Sequence, residues 1–346
     1  MTKPPLSVLI DTYNHERYIE QAVVSAIEQD FPAADYEILV VDDGSTDRTS
    51  EIVRKFAPRV RLLTKKNGGQ ASAFNAAFPE LRGDIVAFLD GDDWFAPGKL
   101  TAVMNALEEH PEAASVGHGH YEVHEETNEV TVHGLQEAEF FHLATREAAR
   151  KAVLGWHHLF MGSLTVRREI LDRVTPIPEV LVFCGDGPIA MAALVGGAYV
   201  LPQPLFNYRH HTQNFHLVDS KDVAKHRRMF EMIETTYEVM ELTLIQLGVP
   251  PESAAALLYQ DWILRSRLKF RTHGGSRLGA FRTEMRAFRA EVWNPTLSYR
   301  LFKYLFVGGA TLLLPPRLFY KARDWYGQQN LGRLRERLAR SANVSG

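Results

Sequence analysis

Three short apolar runs in the first hundred residues each end in a cluster of polar, mostly acidic side chains. That recurrence limits the fold more than any other feature. Leu6–Ile10 runs into Asp11, Thr12, Tyr13 and Asn14; Tyr36–Val41 runs into Asp42–Asp47; Asp84–Leu89 runs into Asp90, Gly91, Asp92 and Asp93. Each run has the length and β-branched or aliphatic content of a buried strand. Between them, Ile19, Val23, Ala26 and Ile27 repeat at helical spacing, and Ser45 or Thr46 can cap a helix running to about Phe56. A further strand is expected at Val60–Leu63, followed by Asn67-Gly68-Gly69 and a small-residue helix. Strand and helix alternate with short connections, which predicts a Rossmann-like, mostly parallel sheet flanked by helices. All three polar clusters follow strands, so they gather along one sheet edge, where α/β proteins bind ligands.

Carboxylate oxygens at that edge suit Mg²⁺ or Mn²⁺ carrying a diphosphate. Taken alone, Asp90–Asp93 reads equally as a solvated acidic turn before a helix that opens at Pro97. Neither GxGxxG after the first strand nor GxxxxGK[ST] is present, which argues against a dinucleotide dehydrogenase or a P-loop enzyme.

The order and spacing of these residues resemble the family-two glycosyltransferases, inverting enzymes with the GT-A fold. The matching text is Ser7–Asn14, Ile38–Asp47, Asn67–Asn75 and Phe88–Asp93. The resemblance implies a nucleotide-sugar donor site built from Asp11, Thr12, Tyr13, Asp43, Asn67, Asp92 and Arg209. Within it, Tyr13 would stack on the base, Asp11 or Thr12 would contact base or ribose, Asp43 would accept from the base imide and Asp92 would meet the ribose. Asp11 stands where the family usually has proline. Asp93 would hold the divalent cation, Asp42 would be structural, and Asp90 would support the strand end.

In the second half, Cys184-Gly185-Asp186-Gly187-Pro188 places a lone acid before a helix. It reads equally as a simple N-cap or as an acid stabilised by the helix dipole. In the family an acidic pair at this place supplies the general base. Asp186 matches one member, and Gly185 stands where the other often lies. Tyr208-Arg209-His210-His211 resembles a family element that brings His211 to the metal or diphosphate and Arg209 to phosphate charge. His118, His120 and His124 alternate along one expected strand; solvated or satisfied histidines are the bland reading, zinc the sharper one.

The expected organisation is a catalytic domain over 1–218 and a helical C-terminal region over 219–346. From Arg277 onward there are 13 Lys/Arg against 4 Asp/Glu, so the chain's net charge of −3 divides into +9 there and −12 elsewhere. Residues 299–326 mix leucines and aromatics with basic residues over a stretch too short to span a bilayer. This points to a membrane interface rather than nucleic acid, with packing on the catalytic domain or a second subunit as alternatives. One cysteine in 346 residues and an N-terminus without a signal-peptide pattern suggest a cytoplasmic protein, peripheral at the inner membrane face. The acceptor expected is the hydroxyl of a glycan, lipid-linked or other molecule. Two rival readings are a sugar nucleotidyltransferase, disfavoured because Asp11–Asn14 is no glycine-rich phosphate loop, and a non-catalytic nucleotide-sugar or glycan-binding module.

Overall fold

In the computed structural model, which describes residues 5–156, 158–211, 223–291 and 309–322, the first strand lies at the centre of the first half. Strand β1 (Leu6–Thr12) pairs in parallel with β2 (Tyr36–Asp42) on one side and with β4 (Ile85–Asp90) on the other. Strand β3 (Val60–Thr64) extends the parallel set from β2. Helices α1 (Ile19–Ile27), α2 (Thr49–Arg54) and α3 (Gln70–Ala77) connect these strands. Their residues divide between two apolar layers by parity, because successive strand side chains face opposite ways. Val8, Ile10, Val40 and Leu89 pack on one face with Ile19 and Val23 of α1. Leu9, Leu39 and Phe88 pack on the other with Phe74 of α3 and Phe78. Burial on both faces accounts for the near-continuous apolar runs.

After β5 (Trp94–Phe95) and α4 (Lys99–Glu109) the sheet becomes mixed. Strands β6 (Ser115–His124), β7 (Val130–His133) and β8 (Glu139–Phe141) lead to α5 (Arg146–Trp156), β9 (Thr165–Arg167) and α6 (Arg168–Asp172). Helix α7 (Gly187–Gly196) and the long β10 (Ala198–His210) complete it. The strand order is β3-β2-β1-β4-β9-β6-β10-β5, with β7 on β6 and β8 on β10. Parallel pairing thus dominates β1–β4, while β9 joins the two halves antiparallel to both β4 and β6. That mixed half has no alternating strand–helix pattern in its sequence, so a strand was expected there over His118–His124 but not its place in the sheet.

The chain divides into two compact units, one of residues 1–217 and 235–258, the other of 218–234 and 259–346. Residues 235–258 were expected in the helical region. They belong instead to the first unit, because Met240 and Leu244 of α8 (Val223–Gln246) and Leu257 of α9 (Pro251–Leu257) enter its core. In the second unit, α10 (Tyr259–Thr272) and α11 (Arg277–Glu291) are joined by a two-pronged Arg267–Glu284 pair, both contacts 2.9 Å. Of the 299–326 stretch, 299–308 and 323–326 lie outside the described residues; within the rest, Leu312–Leu314 and Leu318 are exposed. No helix among the described residues is long and apolar enough to cross a membrane.

A buried lysine braces the part of the fold that leads to the site. Lys99 Nζ donates to the Gly162 carbonyl at 2.7 Å and sits 3.8 Å from the Phe95 ring centre. Lys99→Ala should lower stability by about 3 kcal/mol, combining a cavity with an abandoned buried carbonyl. Lys99→Met, which keeps the volume, should lose about half as much. Urea midpoints of the full chain measure both; an Ala variant within experimental error of wild type would remove the brace.

Candidate active site

The strand ends converge as their parity requires. Asp11 of β1 stands opposite Asp90 of β4, and Gln70 at the start of α3 lies between them. Gln70 Nε2 donates to Asp11 Oδ2 at 3.3 Å and to Asp90 Oδ1 at 3.4 Å, while its Oε1 accepts from the Gly185 N–H at 2.9 Å. One amide side chain therefore ties the β1 and β4 ends to the loop carrying Asp186. Two backbone bonds reinforce the tie, Gln70 N–H to the Val182 carbonyl (2.8 Å) and Ala71 N–H to that of Leu181 (3.3 Å). A Cβ on Gly185 would come within 2.7 Å of the Ala71 nitrogen, so no acid fits where the family often has one. Burial pushes the Asp11 carboxyl up to about 7, hydrogen bonds from Gln70 and Asp90 offsetting only part of it. Burial, then the charges of Asp11, Asp93 and Asp92, raises Asp90 well above the ordinary range. Asp11 therefore meets Gln70 through Oδ2, while its Oδ1 is buried without a hydrogen-bond partner.

Around the acidic turn, Gly91 leaves room for the end of β1. A Cβ there would lie 2.6 Å from Thr12 Oγ1 and 2.8 Å from His15 Nδ1. His211 Nε2 meets Asp92 Oδ2 at 3.0 Å, and His15 Nε2 approaches the same oxygen at 3.9 Å. Burial opposes ionisation of Asp92, yet the His211 hydrogen bond and the nearby His15 outweigh it and hold this carboxyl below the usual range. Asp93 is 1% exposed. Its Oδ1 accepts from the Arg209 N–H at 2.8 Å, while its Oδ2 is buried without any hydrogen-bond partner. Burial, then the adjacent Asp92 charge, raises this carboxyl well above the ordinary range. An orphaned buried carboxylate oxygen is costly unless something cationic completes it. Asp93 Oδ2 therefore offers the donor chemistry of a divalent-ion ligand, while the buried His211 is engaged with the neighbouring Asp92.

Asp43 and Arg209, both expected at the donor site, also brace the loops around it. Asp43 receives Lys65 Nζ (2.6 Å), Gly68 N–H (3.1 Å to both oxygens) and Gly69 N–H (2.7 Å). Its carboxylate thus holds the Asn67–Gly69 loop in place. Arg209 donates through Nε to the Asp92 carbonyl (2.8 Å) and through a terminal nitrogen to Gln21 Oε1 (2.6 Å). Its guanidinium lies 4.5 Å from the Trp94 ring centre and 4.8 Å from that of Tyr18, so it clamps the acidic turn. Asp42 serves its own turn, accepting from the Ser45 N–H (2.8 Å) and the Ser50 hydroxyl. Thr12 is buried, whereas Tyr13 is 44% exposed and open for stacking.

Asp186 immediately precedes α7 but its side chain caps no helix N–H in the second or third position. It lines a cavity of about 530 Å³ with Phe160, Tyr208, His120, His133 and Glu122 among the other walls. Burial pushes its carboxyl up to about 6, countered in part by backbone N–H groups including those of Gly187 and Met161. The Gly162 carbonyl held by Lys99 is next to Met161, so the brace and the acid share one loop. Sequence reasoning missed Gln70, His15, Glu122 and His133. Only Gln70, inside the matching Asn67–Asn75 segment, left a signal that could have pointed to it.

Residues 7–175 match the family model described as Glycosyl transferase family 2. An uncharacterized glycosyltransferase of Nostoc sp. is 29% identical over 254 residues, covering 70% of this chain and 76% of that one. Poly(ribitol-phosphate) beta-N-acetylglucosaminyltransferase TarS of Staphylococcus aureus is 37% identical over 108 residues, 30% of this chain but only 19% of its own length. Among solved structures, S. aureus TarS 1–349 in complex with UDP-GlcNAc superposes with a TM-score of 0.52 at 21% identity, covering 81% of this chain and 83% of that one. The mannosyltransferase PcManGT of Pyrobaculum calidifontis, in complex with GDP-Man and Mn²⁺, gives 0.51 at 21% identity, covering 95% and 85%. At those identities the two structures speak for the fold, a GT-A-type sheet flanked by helices.

Proposed function

Its residues 7–175 make this chain a member of glycosyl transferase family 2, and from that premise we propose that it transfers a sugar, with inversion, from a nucleoside-diphosphate sugar to an acceptor hydroxyl. Polysaccharide or glycoconjugate biosynthesis is the setting this reading implies, in line with relatives named as chondroitin and hyaluronan synthases of Pasteurella multocida. The observation that carries it is the buried, partnerless Asp93 Oδ2 beside the strand ends together with the cavity-lining Asp186 carboxylate. Asp93 and His211 would hold a divalent ion, which supplies positive charge to the diphosphate as it leaves. Tyr13 stacks on the base from its exposed position at the end of β1. Asp186 takes the proton of the acceptor hydroxyl, which then attacks the anomeric carbon from the face opposite the leaving nucleoside diphosphate. Phe160 and Tyr208 offer apolar faces against which an acceptor sugar ring can lie. Asp43, Asn67, Asp11 and Arg209 act on the donor indirectly, by fixing the loops that surround it.

Donors bound by the fold's neighbours, UDP-GlcNAc and GDP-Man, differ in both base and sugar, so the donor is a matter for experiment. A thermal-shift screen of UDP-, GDP- and other nucleotide sugars with and without Mn²⁺ provides it. One donor should raise the transition by several degrees with Mn²⁺ and far less in chelator. Stabilisation that is indifferent to the ion would overturn the metal's role, and donor binding without transfer or hydrolysis would favour a binding module.

A further inference from the structure

Away from Asp93 and Asp92, strands β6, β7 and β10 bring histidines round a single carboxylate. Glu122 Oε1 lies 2.6 Å from His210 Nε2 and 3.6 Å from His124 Nε2, while Oε2 lies 2.7 Å from His133 Nε2. The His124 and His210 rings stack with centroids 4.4 Å apart and planes inclined by 21°. Strand register produces the cluster. β6 and β10 run parallel with His124 opposite His210 and Glu122 opposite Tyr208, and residues two apart on β6 share a face. His210 therefore turns towards Glu122, while His211, the next residue, meets Asp92.

We propose that Glu122, His124 and His210 form a second metal site, for a borderline transition ion of the Zn²⁺ class, separate from the Asp93–His211 pair. One ligand atom from each of the three lies within 4.8 Å of the other two. Two neutral imidazoles and one carboxylate are a donor set that suits Zn²⁺, Co²⁺ or Ni²⁺ better than Mg²⁺. Tetrahedral ligands with metal bonds near 2.1 Å stand about 3.4 Å apart, so the 3.6 Å His124 contact already has nearly the required spacing. The 2.6 Å His210 contact needs only a small opening of the side chains. His133, on the other oxygen, fixes the Glu122 carboxylate so that Oε1 faces the two imidazoles. Side-chain exposures of 17% for His210, 24% for Glu122 and 38% for His124 leave a path for the ion and for water as a further ligand. Glu122 and His133 also line the cavity that holds Asp186. A bound ion would pin the ends of β6 and β10 at the rim of that cavity, on the acceptor side and not at the diphosphate.

The test uses the full chain, stripped with chelator and titrated with Zn²⁺ and, in parallel, with Co²⁺. Wild type should bind one equivalent of Zn²⁺ that His124→Ala does not, and the Co²⁺ form should show the intense visible bands of a low-symmetry, four- or five-coordinate ion. In His124→Ala the affinity at that site should fall by at least about 100-fold. His124→Cys should restore the lost equivalent and add a sulfur-to-cobalt charge-transfer band, which separates loss of a ligand from loss of structure. Equal stoichiometry and affinity in wild type and His124→Ala, or a Co²⁺ spectrum matching the hydrated ion in wild type, would overturn the site. Neither result bears on donor binding, so failure here leaves the proposed reaction untouched.

Discussion

Asp186→Asn should reduce turnover by about a thousandfold while leaving donor affinity nearly unchanged. The carboxylate lies in the cavity wall and its proposed task is to take a proton, and general-base assistance is worth about 10²–10⁴ in rate. Asparagine keeps the shape and can meet the same loop, so the amide removes basicity and little else. The pH profile provides an independent check. Burial places the Asp186 carboxyl at about 6, above its ordinary value, so it is a competent base above that pH and is protonated below it. Turnover should therefore fall about tenfold per unit as pH drops below about 6, and that limb should vanish in the variant. Steady-state rates with donor binding measured separately by calorimetry provide the data. Full turnover in the asparagine variant would remove Asp186 from the role.

Asp93→Asn should abolish metal-dependent donor binding, with the donor dissociation constant in Mn²⁺ rising by about 100-fold or more. It should also leave the metal-free protein as stable as wild type, or more so. The reason is the carboxylate's geometry. Oδ1 already accepts from the Arg209 N–H, and the amide oxygen of asparagine can keep that bond. Oδ2 is buried, close to other acids and without a partner, so neutralising it removes a cost that the native protein bears in the absence of an ion. Asp93→Ala would lose the Arg209 bond as well and should be the less stable of the two. Calorimetric titration of donor with and without Mn²⁺, beside thermal unfolding in chelator, measures both effects. Donor affinity in the asparagine variant equal to wild type would sink the assignment, whatever its stability.

The first hundred residues were the most legible part of the chain. Continuous apolar runs and short connections foretold β1, β2, β3 and β4 and placed Asp11, Asp42 and Asp90 at the ends of their strands. The second half was less legible because its strands pair both parallel and antiparallel, over long and irregular intervals. β9, three residues long, joins the two halves of the sheet, and nothing in Thr165–Arg167 announces that position. The same limit applied to roles. The contacts of Asp43 with Gly68 and Gly69, and of Arg209 with the Asp92 carbonyl, could not be read from the motifs that carry them.

By itself, then, the sequence determined the parallel strands of the first half, that they are apolar on both faces, and that a set of carboxylates collects at their ends. These properties are local: side-chain parity and turn chemistry act over a few residues. Only the tertiary structure decided that Asp11 and Asp90 share Gln70, that Asp93 keeps an unmet oxygen, and that Glu122 faces histidines from two other strands. Each of those depends on register between strands up to about a hundred residues apart in the chain. A shift of one residue would turn every side chain on the strand to the opposite face.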